Sequence, residues 1–281
     1  MKTLFMNPVL SKELKLRFRS GKSFLGLLFY LLALSILLCG YMYIEIMSNA
    51  NGFFKPENSR VMFMLFSFLQ LGLILFITPG LTGGVISSER ERQTLNMLLT
   101  TTQSSTGIVI GKLLSSLSYL VLLLFASLPL YSLVFLYGGI SPTQLLYTFL
   151  FFLFTMIAVG SLGVLFSTLI RKTIVSMVTT YSSVLFIAGG TAVIALIVYQ
   201  LAMINTQGQP ADSPYFYFIA MLNPGLILAG MFEPELLAEI KGQSGIEFPI
   251  WIAYIISYSI IIIGSLLMSI RRLRPNMKKA K

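Results

Sequence analysis

Six apolar runs divide the chain, at about 24–46, 61–81, 113–136, 145–170, 174–199 and 249–270. Each is close to the ~20 residues that a helix needs to cross a hydrocarbon core. Inside lipid, every backbone N–H and C=O must find its partner within the segment, so the runs predict six transmembrane α-helices. Pro79 and Pro129 fall within two of the runs and predict kinks there. The fold class expected is therefore an all-α membrane protein, with residues 1–281 forming a single transmembrane domain and no soluble domain or internal repeat.

Three segments outside the spans have patterns of their own. In 7–19, Asn7 suits a helix cap and Pro8 its first turn. Leu10, Leu14 and Phe18 recur on one face, while Lys12, Lys15 and Arg19 gather on the other, and Glu13 stands four residues before Arg17. This predicts a short amphipathic helix in the membrane interface, its basic face toward lipid headgroups or a partner. The second segment, 87–106, opens with Ser88-Glu89-Arg90-Glu91-Arg92, a dense charge cluster in a chain that has few charges. Ser87 or Ser88 can cap a helix whose first turn holds Glu89 and Glu91. Leu95, Leu98 and Leu99 then supply an apolar stripe, which predicts a charged helix over 88–99; the plain alternative is a solvated connector.

The third segment is 200–248. Its Tyr215-Phe216-Tyr217-Phe218 cluster suits a membrane interface. Residues 219–232 are apolar but too few to span, and Asn223-Pro224-Gly225 interrupts them, which predicts re-entrant or surface-lying helices. Phe232, Leu236, Leu237 and Ile240 form a further amphipathic stretch. The plain alternative is a capping subdomain with no functional role.

Composition sharpens the picture. The chain has 281 residues, 56% hydrophobic and 11% charged, whereas a soluble domain carries roughly 25% charged residues. The net charge of +10 is distributed as a topology signal rather than as a nucleic-acid surface. With the N-terminus placed in the cytoplasm, all but three of the 20 Lys and Arg residues fall on the inner side, the exceptions being Lys55, Arg60 and Lys241. Both termini are therefore expected to be cytoplasmic, in the plasma membrane of a bacterium, with no cleavable signal peptide. The single cysteine, Cys39, excludes an internal disulfide, and histidine is absent, so no metal site is expected. The spans hold almost no ionisable groups: Glu45 stands at the outer end of the first and Lys112 at the inner start of the third. That argues against an ion-coupled carrier and an intramembrane protease. No phosphate-cradling Gly-Lys-Ser/Thr loop occurs, so ATP-driven transport would need its energy from another polypeptide.

The order of parts (basic amphipathic helix, two spans, charged inner helix, four spans, long outer loop before the last) resembles the permease subunits of type-2 ABC exporters, the ABC-2 transporter family. Asn7-Pro8-Val9, Lys12-Glu13-Leu14 and Arg17-Phe18-Arg19 resemble the family's interfacial helix. Ser88-Glu89-Arg90-Glu91-Arg92-Gln93-Thr94-Leu95-Asn96-Met97-Leu98-Leu99 resembles its first cytoplasmic loop, and Gly111-Lys112-Leu113 opens the third span as in relatives. Gln93 stands where Gly is usual, Asn96 where Glu is usual and Thr102 where Pro is common. The resemblance implies a non-catalytic permease, with no cofactor of its own, that works as an exporter; the scarcity of fixed charge in the spans fits an amphipathic or hydrophobic substrate. ATP and Mg²⁺ would be bound by a separate ABC ATP-binding subunit. The 88–99 helix would be the coupling helix, with Gln93 and Thr94 among its residues: Glu89, Arg90, Glu91 and Arg92 would pair with that subunit, and Leu95, Leu98 and Leu99 would pack against the membrane domain. A second permease copy or a related chain would complete the pathway, and Tyr215, Phe216, Asn223 and Pro224 would form an outer gate. Membrane lipid is the other expected contact, and no nucleic acid is expected. The competing reading is a membrane-anchored scaffold or sensor that docks a partner without transport.

Overall fold

A computed structural model describes residues 21–48, 56–95, 104–136, 140–205 and 214–273. These residues form helices and no strand. In chain order they are α1 (Gly21–Ser48), α2 (Pro56–Thr82), α3 (Ser87–Glu91), α4 (Ser105–Ala126), α5 (Leu128–Leu136), α6 (Pro142–Leu169) and α7 (Thr173–Leu185). A π-helical segment, Phe186–Gly190, joins α7 to α8 (Thr191–Asn205), and α9 (Pro214–Ala220), α10 (Pro224–Phe232), α11 (Pro234–Ser244) and α12 (Ile250–Leu273) follow. Among the described residues six stretches are long and apolar enough to cross a membrane, and they coincide with the six apolar runs of the sequence. They are α1, α2, α4–α5, α6, α7–α8 and α12. The interfacial helix expected over 7–19 lies outside the described residues.

Spans two and three each contain a proline, with different results. Pro79 stays within α2. It cannot donate to the carbonyl four residues back, and just before it the Thr78 hydroxyl donates to the Ile74 carbonyl at 2.6 Å. Pro129 lies just past a one-residue break: α4 ends at Ala126, α5 begins at Leu128, and the Ser127 hydroxyl between them donates to the Leu124 carbonyl at 2.7 Å. The third span also begins well before position 113. Ser104 caps it, its hydroxyl accepting from the Gly107 N–H at 3.1 Å, so α4 starts with a partly polar turn. That turn is exposed to half-exposed, and burial begins at Ile108 and Val109.

α6 is the central helix. It packs against α2, α4, α7 and α12, and 61% of its apolar window is buried, against 17% for the first and fifth spans. Close approach is made possible by Gly163, where a β-carbon would lie 2.0 Å from Thr82 Oγ1 at the end of α2. An aromatic cluster fills the space toward the opposite end: Tyr131 meets Phe63, Phe66 and Phe149 edge-on at centroid distances of 5.3, 5.1 and 5.2 Å. Chain direction puts the start of α1, α3, the start of α4, the α6–α7 turn and the end of α12 on one face. This is called the charged face below. α9, α10 and α11 belong to the other end.

Candidate functional site

At the charged face, the chain leaves α2 through a tight turn, Gly83–Ile86, and forms α3. The helix expected over 88–99 is not continuous. α3 ends at Glu91, and Gln93 adopts a left-handed φ of 59°. The Gln93 N–H donates to the Arg90 carbonyl at 3.1 Å and the Thr94 N–H to the Glu89 carbonyl at 3.0 Å. Those two bonds around a left-handed residue are a Schellman stop, for which glycine is the favoured occupant. The glycine usual at this place in the resembling family thus has a physical reason, and here Gln93 takes the same conformation. Beyond the stop, Leu95 is buried and helical again. Leu98 and Leu99 lie outside the described residues.

α3 is fastened to three spans. The Ser167 hydroxyl of α6 accepts from the backbone N–H of Ile86 at 2.7 Å and of Ser87 at 2.9 Å. These are donors at the start of a helix that has no side-chain cap of its own. Glu89 pairs with Lys112 of α4 at 3.1 Å, and the Thr94 hydroxyl donates to its other carboxylate oxygen. The Lys112 side chain is only 5% exposed, so a charge buried at the membrane edge is matched by a carboxylate from the loop. The Arg90 guanidinium donates to the Thr168 carbonyl at 3.0 Å, at the last turn of α6, where the helix dipole favours a cation.

Glu91 reaches the next helix. Its carboxylate accepts from the Thr173 N–H at 2.9 Å and from the Thr173 hydroxyl at 2.6 Å. Thr173 is the first residue of α7, whose own N-cap residue, Lys172, makes no capping bond. An acid from the loop therefore caps the fifth span from outside it. Those two bonds from Thr173 hold the exposed Glu91 carboxyl below the ordinary carboxylate range, so it is ionised at neutral pH. One turn on, the Ser176 hydroxyl donates to the Gly83 carbonyl at 2.5 Å. Arg92, Gln93 and Thr94 are exposed at the tip of the turn.

The residues expected at an outer gate divide. Asn223 and Pro224 sit together at a bend of 94° between α9 and α10. Asn223 is 2% exposed and caps α10, its Oδ1 accepting from the Leu226 N–H at 3.0 Å. Its Nδ2 donates to the Ala188 carbonyl at 2.7 Å and to Thr191 Oγ1 at 2.8 Å, both in the middle of the fifth span. Tyr258 of the sixth span donates to the Leu222 carbonyl at 3.0 Å. The bend thus enters the bundle between the spans, with its backbone bonded to protein as lipid depth requires. Phe216 is buried beside Tyr199 of α8, at a centroid distance of 6.1 Å, whereas Tyr215 is 74% exposed.

Sequence reasoning missed Lys112, Ser167, Thr168, Thr173 and Ser176 as members of the loop junction. Their one signal was hydroxyl-rich span ends, Ser167-Thr168 and Thr173, flanking Arg171-Lys172.

A family model described as ABC-2 family transporter protein matches residues 7–229. No curated protein matches the chain. The matched region takes in five spans, the charged loop and most of the re-entrant pair, and the sixth span completes the multi-pass architecture. The chain belongs to the ABC-2 transporter family and is an integral-membrane permease of an ABC transporter.

Proposed function

We propose that this permease works as an exporter, taking its energy from a separate ABC ATP-binding subunit that holds ATP and Mg²⁺ and docks on the charged face. That face is cytoplasmic in this reading, because among the described residues Arg90, Arg92, Lys112, Arg171, Lys172, Arg271 and Arg272 stand there, against Arg60 and Lys241 at the other end. The observation that carries the reading is the triple attachment of α3. Glu89 is bonded to the third span, Arg90 to the end of the fourth and Glu91 to the start of the fifth. A force applied to the exposed tip at Arg92, Gln93 and Thr94 is passed to all three spans through short, largely charged contacts. Leu95 anchors the tip to the apolar core. Two permease chains enclose the pathway in this reading, and the elbow at Asn223-Pro224 closes its outer end. The pathway has few fixed charges, which suits an amphipathic or hydrophobic substrate.

The test is charge reversal at Glu89 and Glu91 together in the purified complex with the ATP-binding subunit, reconstituted in nanodiscs. Loss of the Lys112 and Thr173 contacts is expected to lower stability, so the comparison is made on the monodisperse fraction, in which ATP hydrolysis is expected to lose its response to permease conformation. If the double variant behaves as the native complex does, α3 has no coupling role. If the chain binds the ATP-binding subunit but never alters its hydrolysis, it is a docking scaffold instead.

A further inference from the structure

Span five is held by the charged loop at its inner end and by the elbow further out, and it is not a uniform helix. Over Phe186–Gly190 the bonding shifts to π spacing, with the Thr191 N–H donating to the Phe186 carbonyl. The segment lies about 20 Å from the start of α7 and about 16 Å from Leu201, at 1.5 Å per residue, so it falls near mid-membrane. A π turn strands carbonyls that an α-helix would satisfy, and within a bilayer a stranded carbonyl is costly. Here side chains take them. The Thr191 hydroxyl donates to the Ile187 carbonyl, and Asn223 Nδ2 donates to the Ala188 carbonyl at 2.7 Å.

The orientation of the Asn223 amide follows from its neighbours. The Ala188 carbonyl can only accept, and the Thr191 hydroxyl has already spent its proton on Ile187, so both face the NH₂ group. The Leu226 N–H can only donate, so it faces Oδ1. One amide thus does two separable jobs. Its oxygen caps α10, and its nitrogen docks the re-entrant elbow on the π segment. Gly189 and Gly190 leave that segment little intrinsic preference for α spacing, and a β-carbon at Gly190 would meet the Phe186 ring at 2.9 Å.

We propose that Asn223 is a positioning residue for transport: by donating to Ala188 and Thr191 it holds span five in its π form and ties the outer closing elbow to the outer half of that span. The inner half, α7, then follows the charged loop through Glu91 and Ser176, while the outer half, α8, follows the elbow. Withdrawal of Asn223 removes a side-chain donor from the Ala188 carbonyl and favours return to α spacing. Each residue of register so recovered turns one half of the span relative to the other by about 100°. This rests on the transport reading of the previous subsection, and the experiment separates the two.

The distinguishing variant is Asn223→Ser, since serine keeps an N-cap acceptor but is too short to reach Ala188. Thr191→Val removes both the acceptor of Asn223 Nδ2 and the donor to the Ile187 carbonyl at little change in volume, and guards against misfolding of the first variant. In a Cys39→Ser background, spin labels at Val178 and Leu196, both exposed, report the angle across the π segment by pulsed electron resonance. A single narrow distance is expected in the parent chain and its loss in Asn223→Ser. A broadened distance is also expected in Thr191→Val, which loses the Ile187 donor along with the Asn223 acceptor. Retention of the narrow distance in Asn223→Ser overturns the proposal.

In the complex with the ATP-binding subunit, two further label pairs separate positioning from mere structure. Ile174 with Leu267 reads the inner side and Leu196 with Trp251 the outer side; all four are exposed. With ATP and vanadate, Asn223→Ser should keep the inner change and lose the outer one. If both changes persist, Asn223 does not position the outer half. If neither occurs even in the parent complex, the coupling reading fails, and the docking of Asn223 is decided by the resting distance alone.

Discussion

Replacing Gly163 by alanine tests how the charged loop is held against the central helix. A β-carbon at this position would lie 2.0 Å from Thr82 Oγ1, 2.8 Å from Thr82 Cβ and 3.2 Å from the Gly83 nitrogen. Turning the Thr82 hydroxyl away would break its bond to the Thr78 carbonyl at 2.8 Å, and would still leave Thr82 Cβ in place. No rotamer clears the clash, so the end of α2 must move off α6 by roughly 1 Å, an overpacking that costs about 1–3 kcal/mol. Against this, alanine gains up to about 1 kcal/mol over glycine in a helix interior. Gly264→Ala isolates that gain, because nothing lies within 4 Å of its β-carbon. Gly160→Ala is intermediate: its nearest neighbours are the methyl ends of Leu117 and Leu113, at 2.9 and 3.1 Å, which can shift. Unfolding in a titration of denaturing detergent should therefore rank Gly264→Ala most stable, Gly160→Ala next and Gly163→Ala last. The first and last should differ by about 1–3 kcal/mol. Equal stability of Gly163→Ala and Gly264→Ala would refute the close packing of α2 on α6.

Two further substitutions probe the junction itself. Ser167→Ala leaves the Ile86 and Ser87 N–H groups without their acceptor in a buried place, and should destabilise the chain by about 1–3 kcal/mol in the same titration. Hydrogen exchange should rise at those two amides. Gln93→Gly should relieve about 1–2 kcal/mol of left-handed strain, partly offset by the larger unfolded-state entropy of glycine, for a net stabilisation of about 0.5–1 kcal/mol. A destabilised Gln93→Gly variant would count against the Schellman stop.

The spans were legible because the bilayer sets one length and one composition for each, and a run of apolar residues satisfies both. Their ends were less so. The start of α4 at Ser105 is polar and rests on the Ser104 cap, which a search for apolar runs does not register. The loop was harder again. Glu89, Arg90 and Glu91 stand in a cluster that looks like a surface offered to a partner. Their bonds go to Lys112, Thr168 and Thr173, two of them about 80 residues further along the chain. Nothing local announces such pairings: each partner is an ordinary residue at the end of a span, and two of the contacts use backbone groups common to every residue type. The departure from glycine at Gln93 was visible, but its meaning needed the φ angle.

The outer elbow shows the same limit from another side. Asn223-Pro224-Gly225 marks a break and a helix start in any sequence, since asparagine caps and proline suits the first turn. What the pattern cannot say is that the remaining half of the Asn223 amide is aimed at Ala188, in the interior of a different span. Once that contact is placed, the Gly189-Gly190 pair stops being an anonymous weak point in an apolar run. It lies beside the carbonyls that Asn223 and Thr191 occupy, between the end of span five gripped by Glu91 and the half held by the elbow. A displacement begun at Glu91 must cross this segment to reach the outer end. The π spacing is therefore the one place on span five where inner and outer motion can be joined or parted without breaking either attachment.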